Sequence, residues 1–272
     1  MALHFLIEEP GALDADEVVL TGAEAHHAAS VRRVRVGEEV TVGDGRGAWH
    51  SGVCESVEPK RVVVRITARA QQPAPAPRLV LVQALAKGDR DERAVQAATE
   101  LGVDEIMPWQ ASRSVSRWDG PKIAKGVARW QTIVREAAKQ AHRAWVPTVS
   151  QPATTAQLVA RASESAGARR VLTLVLDPEG ETRLSQLAFE GAARAARASE
   201  SADSVIESAD SVIAGAEEII MIVGPEGGIA PEELEKFTGA GAVRVRLGDT
   251  VLRTSTAGPA ALSVISVALG RW

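Results

Sequence analysis

Apolar positions along this chain follow two different rhythms. From about residue 3 to 70, short apolar runs alternate with polar residues and turns, as in EEVTVGDGRGAWHSGVCESV (38–57) and KRVVVRITARA (60–70). A period of two turns one face of a strand inward, so this part predicts several short strands. Gly43 to Gly47 (GDGRG) is a hairpin signal between two of them. The set reads as a small β-barrel. QQPAPAP, from Gln71 to Pro77, follows as a stiff, extended linker. Beyond it the rhythm changes. LVLVQAL (79–85) and VDEIMPW (103–109) read as strands, VLTLVLDPEG (171–180) as a buried strand ending in a loop, and Ile219 to Val223 is fully apolar, as expected of a strand buried on both faces. Helical spacing lies between them, over about 91–101 and 122–142. Strands alternating with helices predict an α/β domain with a mostly parallel sheet. The expected division is 1–72 for the β-domain, 73–77 for the linker and 78–272 for the α/β domain. Residues 183–216 break the pattern. They are rich in Ala and Ser, and ESADSVI occurs twice in tandem (200–206 and 207–213). A surface insert without function is expected there.

The last fifty residues hold two strand–loop–helix units, EEIIMIVGPEGGIAPEELEKF (217–237) and VRVRLGDTVLRTSTAGPAALSVISVAL (243–269). Two such loops can converge at the carboxyl edge of a sheet, where open α/β sheets bind ligands. In the first loop Gly224, Gly227 and Gly228 permit close approach of backbone to a ligand. Pro231, Glu232 and Glu233 suit the start of a helix. The loop is not G-x-G-x-x-G, because Glu226 holds the place of the second glycine. No Lys-Ser/Thr pair follows, so it is not a phosphate loop either. A carboxylate there repels phosphate and tolerates a cationic ligand, which disfavours ATP and NAD and suits a sulfonium cofactor.

GPEGG followed by LGDTVLRTST resembles the SPOUT-type methyltransferases of the ribosomal RNA small subunit methyltransferase E family. The resemblance spans nearly the whole chain. HHAASVRRVRVGEEV is similar to the family's entry motif at His27, Val31, Arg33 and Gly37. QALAKGDRDERAVQAATELGVDEIMPW matches at Lys87, Gly88, Glu100, Leu101, Gly102 and Val103. RWQTIVREAAKQAHRAWVP matches at Trp130, Ile133, Glu136, Ala137, Gln140, Arg143 and Pro147. The chain departs from the commoner L-G-x-R-I-L-R-T-E-T at Thr250 and Ser255, so no role needing a charge at those two positions is expected. Leu247, Gly248, Leu252, Arg253 and Thr254 remain.

The resemblance implies a PUA-like RNA-binding barrel and a SPOUT domain closed by a C-terminal trefoil knot. It implies S-adenosylmethionine as cofactor, methylation of N3 of a uridine in 16S rRNA, and a homodimer paired through the last helix (Leu262, Ile265, Leu269 and Trp272). Three loops would hold the cofactor: Leu176, Asp177 and Pro178; Val223, Gly224, Pro225, Glu226, Gly227, Gly228 and Ile229; then Leu247, Gly248, Val251, Leu252 and Thr254. Arg253 is the candidate to stabilise a uracil anion, with helix N-terminal packing or a salt bridge to Glu226 as the plainer alternatives. Glu226 could accept the N3 proton or hold the cofactor's amino group. Thr254, Ser255 and Thr256 can equally be mere helix caps. Two other readings stay open: methylation of another RNA atom such as a ribose 2′-hydroxyl, and a non-catalytic RNA-binding or ribosome-assembly protein.

Composition narrows this further. The net charge of −4 hides segregation, because residues 78–147 carry 12 basic and 8 acidic side chains. Arg32, Arg33 and Arg35 in the first domain, and Lys87, Arg90, Arg113 and Arg117 in the second, are candidates for phosphate contacts, or else members of solvated faces. The one cysteine, Cys54, lies in a strand-like run and excludes an internal disulfide. It is expected to be inert and half-buried. His4, His26, His27, His50 and His142 are scattered, with His27 expected to support the barrel, and no metal is expected. Trp130 and Trp145 are expected on apolar helix faces. The opening MALHFLIEEP lacks a basic leader, and no apolar run reaches the ~18 residues of a membrane span. A cytoplasmic protein is expected.

Overall fold

In the computed structural model, residues 2–163, 170–188, 213 and 215–272 are described. The low-complexity expectation for the tandem repeat falls mostly outside them. The chain divides into two compact units, one of residues 1–74 with 135–146 and one of residues 75–134 with 147–272.

The first unit is built on five strands: β1 (Leu3–Leu6), β2 (Glu17–Thr21), β3 (Glu39–Gly43), β4 (Ala48–Glu58) and β5 (Arg61–Gln71). They lie in the order β1-β3-β4-β5-β2, with β1 parallel to β3 and the other pairs antiparallel. The alternation read from the sequence is realised as alternating burial, most clearly in β2 (EVVLT), where Val18 and Leu20 face inward. Phe5, Leu20, Val42, Cys54 and Val64 come from all five strands and share one core, so the sheet wraps around it. The GDGRG hairpin is present. Asp44 Oδ1 accepts the backbone N–H groups of Arg46 (2.6 Å) and Ala48 (3.1 Å), holding the turn. β4 is bent at Gly52, where the register shifts. A Cβ on Gly52 would lie 2.5 Å from Val64 Cγ1 and 2.7 Å from Arg65 O, so only glycine allows this close approach.

Residues 135–146 complete the unit. Glu24 is buried, and its Oε1 accepts Lys139 Nζ and Arg135 Nη1, each at 2.8 Å. Burial pushes the Glu24 carboxyl up, but these two cations outweigh it and hold the pKa below the usual range. The helix Pro121–Gln140 ends earlier than the sequence suggested, because His142 takes a positive φ of 54°. Trp145 therefore lies beyond the helix, half-buried, donating to Gln72 O at 3.1 Å. Trp130 is a core residue. His27 packs edge-on to Phe5 as support for the unit. Cys54 is fully rather than half buried, and burial pushes its thiol up to about 11, which leaves it inert.

The second unit is a seven-stranded sheet in which every pairing is parallel. Its strands are β6 (Arg78–Ala84), β7 (Glu105–Trp109), β8 (Thr148–Val149), β9 (Val171–Leu176), β10 (Thr182–Arg183), β11 (Glu218–Val223) and β12 (Val243–Arg246). The order is β10-β12-β9-β11-β6-β7-β8. All of β11 is buried, and β6 and β9 nearly so, which accounts for their unbroken apolar sequences. Helices Arg90–Glu100, Thr155–Ser163, Pro231–Gly239 and Thr254–Ala268 pack with this sheet. Leu262 and Ile265, expected on a subunit-pairing face, are fully buried in the chain's own core, whereas Val267 and Trp272 are exposed. Among the described residues no helix is long and apolar enough to cross a membrane.

Candidate functional site

Strands β12, β9 and β11 are immediate neighbours, and each ends at the same edge of the sheet. The loops that leave them line one cavity of about 910 Å³, within the range of small-ligand sites. Residues 176–179, 223–226, 228–229 and 245–248 line it, as do 250–254. Of the residues assigned to the cofactor from sequence, only Gly227 does not line it. Arg253, Arg90 and Arg113 also border the cavity. Lys87 and Arg117 lie in the same unit but not at the cavity, and Arg32, Arg33 and Arg35 are exposed on the first unit.

The loop Gly224–Ile229 is shaped by packing as well as by flexibility. A Cβ on Gly224 would lie 2.7 Å from Ile229 Cγ1, so glycine lets the loop fold back over its own end. Pro231 then starts the next helix, and the Glu233 side chain accepts the Ala230 N–H while also taking Ser112 and Thr155 hydroxyls. Thr254 is the first residue of its helix and not the cap, which is Arg253. Its buried hydroxyl donates to Gly224 O at 2.8 Å and accepts from Gln83 Nε2 at 2.9 Å. A single side chain thereby joins the glycine loop, the last helix and β6.

Gln83 was not singled out from sequence. The signal was available: an amide inside the apolar run LVLVQAL has to find partners when buried. Arg246, Ala257 and Leu234 also line the cavity without having been assigned.

The alternative of an Arg253–Glu226 bridge is not realised at the loop. Arg90 Nη1 donates to Glu226 Oε1 at 2.6 Å, and the Lys87 backbone N–H donates to the same oxygen at 2.9 Å. Arg113 Nη1 donates to Gly227 O at 3.1 Å. Partial burial raises the Glu226 pKa, but its own backbone N–H, Arg90 and the Lys87 N–H outweigh this and hold the carboxyl below the ordinary value. Asp177 is engaged as well, accepting Arg244 Nε at 2.8 Å and the Glu179 N–H at 3.1 Å. Arg253 is exposed, sits at the N-cap of the helix Thr254–Ala268, and has no side-chain partner among the described residues.

The lining fits an adenosyl sulfonium. Leu176, Val223, Ile229, Leu247 and Leu252 supply apolar surface for a purine and its ribose. A Cβ on Gly248 would meet no atom within 4 Å, so backbone is open to a ligand there. The carboxylates of Asp177 and Glu226 suit a cation. Among the described residues there is no cluster able to hold a metal ion.

Comparison with known proteins agrees with this geometry. An RNA methyltransferase domain family matches residues 72–266, and an RNA methyltransferase PUA domain family matches residues 20–67. The ribosomal RNA small subunit methyltransferase E of Mycobacterium bovis is 41% identical over 254 residues, covering 93% of this chain and 87% of its own length. The Bacillus subtilis protein of that name is 30% identical, covering 93% and 91%. Among solved structures, the Neisseria gonorrhoeae ribosomal RNA small subunit methyltransferase E bound to S-adenosyl methionine superposes with a TM-score of 0.76 at 25% identity, covering 98% of both chains. A Legionella pneumophila putative methyltransferase with bound SAM gives 0.74 at 26% identity, covering 98% and 97%. On sequence, domain content and cavity architecture together, this chain belongs to the ribosomal RNA small subunit methyltransferase E family.

Proposed function

We propose that the protein transfers a methyl group from S-adenosylmethionine to N3 of a uridine in 16S ribosomal RNA. The observation that carries this reading is the cavity formed by three loops from adjacent strands, with the exposed Arg253 guanidinium, unpaired among the described residues, at its rim. S-adenosylmethionine, when bound, supplies a methyl group already activated by its sulfonium. The chain's own task is to hold, align and neutralise.

The three loops hold the cofactor through apolar side chains and backbone groups. Arg253 stabilises the negative charge that develops on the uracil when N3 loses its proton. Its position at a helix N-terminus adds the favourable end of the helix dipole. Glu226 is committed to Arg90 and the Lys87 N–H, which makes it an anchor of the loop and a weak base. Arg32, Arg33 and Arg35 on the first unit, and Lys87 and Arg117 on the second, carry exposed cationic side chains suited to RNA phosphates. The three loops as a trefoil knot, and a homodimer that leaves Val267 and Trp272 less exposed, belong to the same reading.

Mass spectrometry of small-subunit rRNA from a deletion strain tests it. One methyl group on a uracil N3 should be missing, restored by the wild-type chain and not by Arg253→Ala. A missing ribose methyl would replace the assigned target atom, and an unchanged rRNA would refute the activity. In purified protein, Arg253→Ala is expected to lower kcat by about 10²- to 10³-fold while leaving cofactor affinity within about threefold.

A further inference from the structure

Two arginines expected to contact RNA phosphates are occupied in a different way. Arg90 stands in the first turn of the helix Arg90–Glu100, after β6, and Arg113 stands in the loop after β7. They come from separate segments, yet both reach the glycine loop, at consecutive residues. Arg90 binds the Glu226 carboxylate and Arg113 binds the Gly227 carbonyl. The Lys87 N–H adds a third bond to Glu226. On the cavity side the same loop is held through Thr254 and Gly224 O. Residues 224–227 are thus pinned at both ends by side chains from three other segments.

We propose that Arg90 and Arg113 are positioning residues for the cofactor loop, acting through Glu226 and Gly227 and independently of RNA. This rests on the cofactor assignment above and deepens it. The loop is seven residues between the end of β11 and Pro231, with two glycines at its tip, and has little intrinsic preference for one conformation. Fixing it in advance removes an ordering cost that the cofactor would otherwise meet on binding. Neither guanidinium is buried: Arg113 is exposed, the Arg90 side chain is 45% exposed, and its partner Glu226 is 29% exposed. An exposed pair of this kind contributes modestly, so the expected effect on affinity is a fold-change and not abolition.

A calorimetric double-mutant cycle without RNA tests the inference, with S-adenosylmethionine as the probe and Arg90→Ala, Glu226→Gln and the double variant as proteins. Each single change is expected to weaken binding by about three- to tenfold. The double variant should be no weaker than the weaker single, because both changes break one contact. Arg90→Lys should recover part of the loss, and Arg113→Ala should weaken binding by a similar factor. Arg93→Ala, which removes only the exposed pair to Asp89, is the control and should leave affinity unchanged. If Arg90→Ala and Arg113→Ala bind the cofactor as the wild type does and lose only RNA affinity, both are phosphate contacts and the inference is overturned. Failure of every protein to bind S-adenosylmethionine, the wild type included, would instead remove the cofactor assignment itself.

Discussion

At the scale of single residues, Thr254 shows how one hydroxyl can hold a site together. It accepts from Gln83 and donates to Gly224 O in a buried setting. Thr254→Val keeps the shape but strands two polar groups, at a cost of about 1–3 kcal/mol. Thermal unfolding should show a lower Tm and calorimetry a weaker cofactor complex, while Thr254→Ser should restore most of both. His4 makes a different kind of point. It is 6% exposed, stacks on Trp49 with ring centroids 4.1 Å apart, and bonds Thr41 Oγ1 at 2.9 Å. Burial, then the His142 and Lys139 charges, moves its pKa from 6.5 down to about 4 against the opposing pull of the Glu24 carboxylate. The folded protein therefore resists a proton that the unfolded chain accepts. The stabilisation is complete above pH 6.5 and is lost as pH falls from 6.5 to about 4. That loss is on the order of 3 kcal/mol. A plot of Tm against pH should be flatter across this window for His4→Asn than for the wild type, and parallel curves would show that His4 does not carry the effect.

At the scale of elements, the glycine loop depends on the fit between Gly224 and Ile229. Gly224→Ala forces a methyl group to within 2.7 Å of Ile229 Cγ1. The loop has to shift, and cofactor affinity should fall by at least about tenfold while circular dichroism stays unchanged. Much of this architecture was legible in the chain. Strands β6, β9 and β11 are buried on both faces and wrote themselves as apolar runs, and the glycine segments marked where ligand-facing loops follow. What stayed hidden has physical reasons. The strands Thr148–Val149 and Thr182–Arg183 are two residues long and carry no period. The helix Thr155–Ser163 is short and buries only Leu158 and Ala162 among its described positions, which leaves a thin apolar stripe. The partners of Glu226 were hidden too, since Arg90 lies 136 residues away and local patterning says nothing about such pairings. Helix ends were blurred for the same reason: the positive φ at His142 is imposed by tertiary context and not by a glycine or proline.

At the scale of the molecule, the chain is acidic overall while its exposed cations are gathered in particular places. RNA affinity should therefore fall steeply with added salt despite a net charge of −4. Replacing Arg32, Arg33 and Arg35 together by Gln should reduce the slope of log K against log salt by about 2–3 units. Filter binding between low and physiological ionic strength would measure it, and an unaltered slope would remove these residues from the interface.

The strand order carries one more consequence, for synthesis. β6 pairs with β11 across about 140 residues of chain, and the cavity is walled by β12 and the start of the final helix. Such distant partners meet slowly, because a long intervening segment must first be gathered in. A growing polypeptide released only as far as residue 240 has its amino-terminal unit's strands already made but lacks the third loop and the final helix that complete the cleft. The capacity to hold a methyl donor is thus the last property this protein acquires as it leaves the very machine whose RNA it modifies.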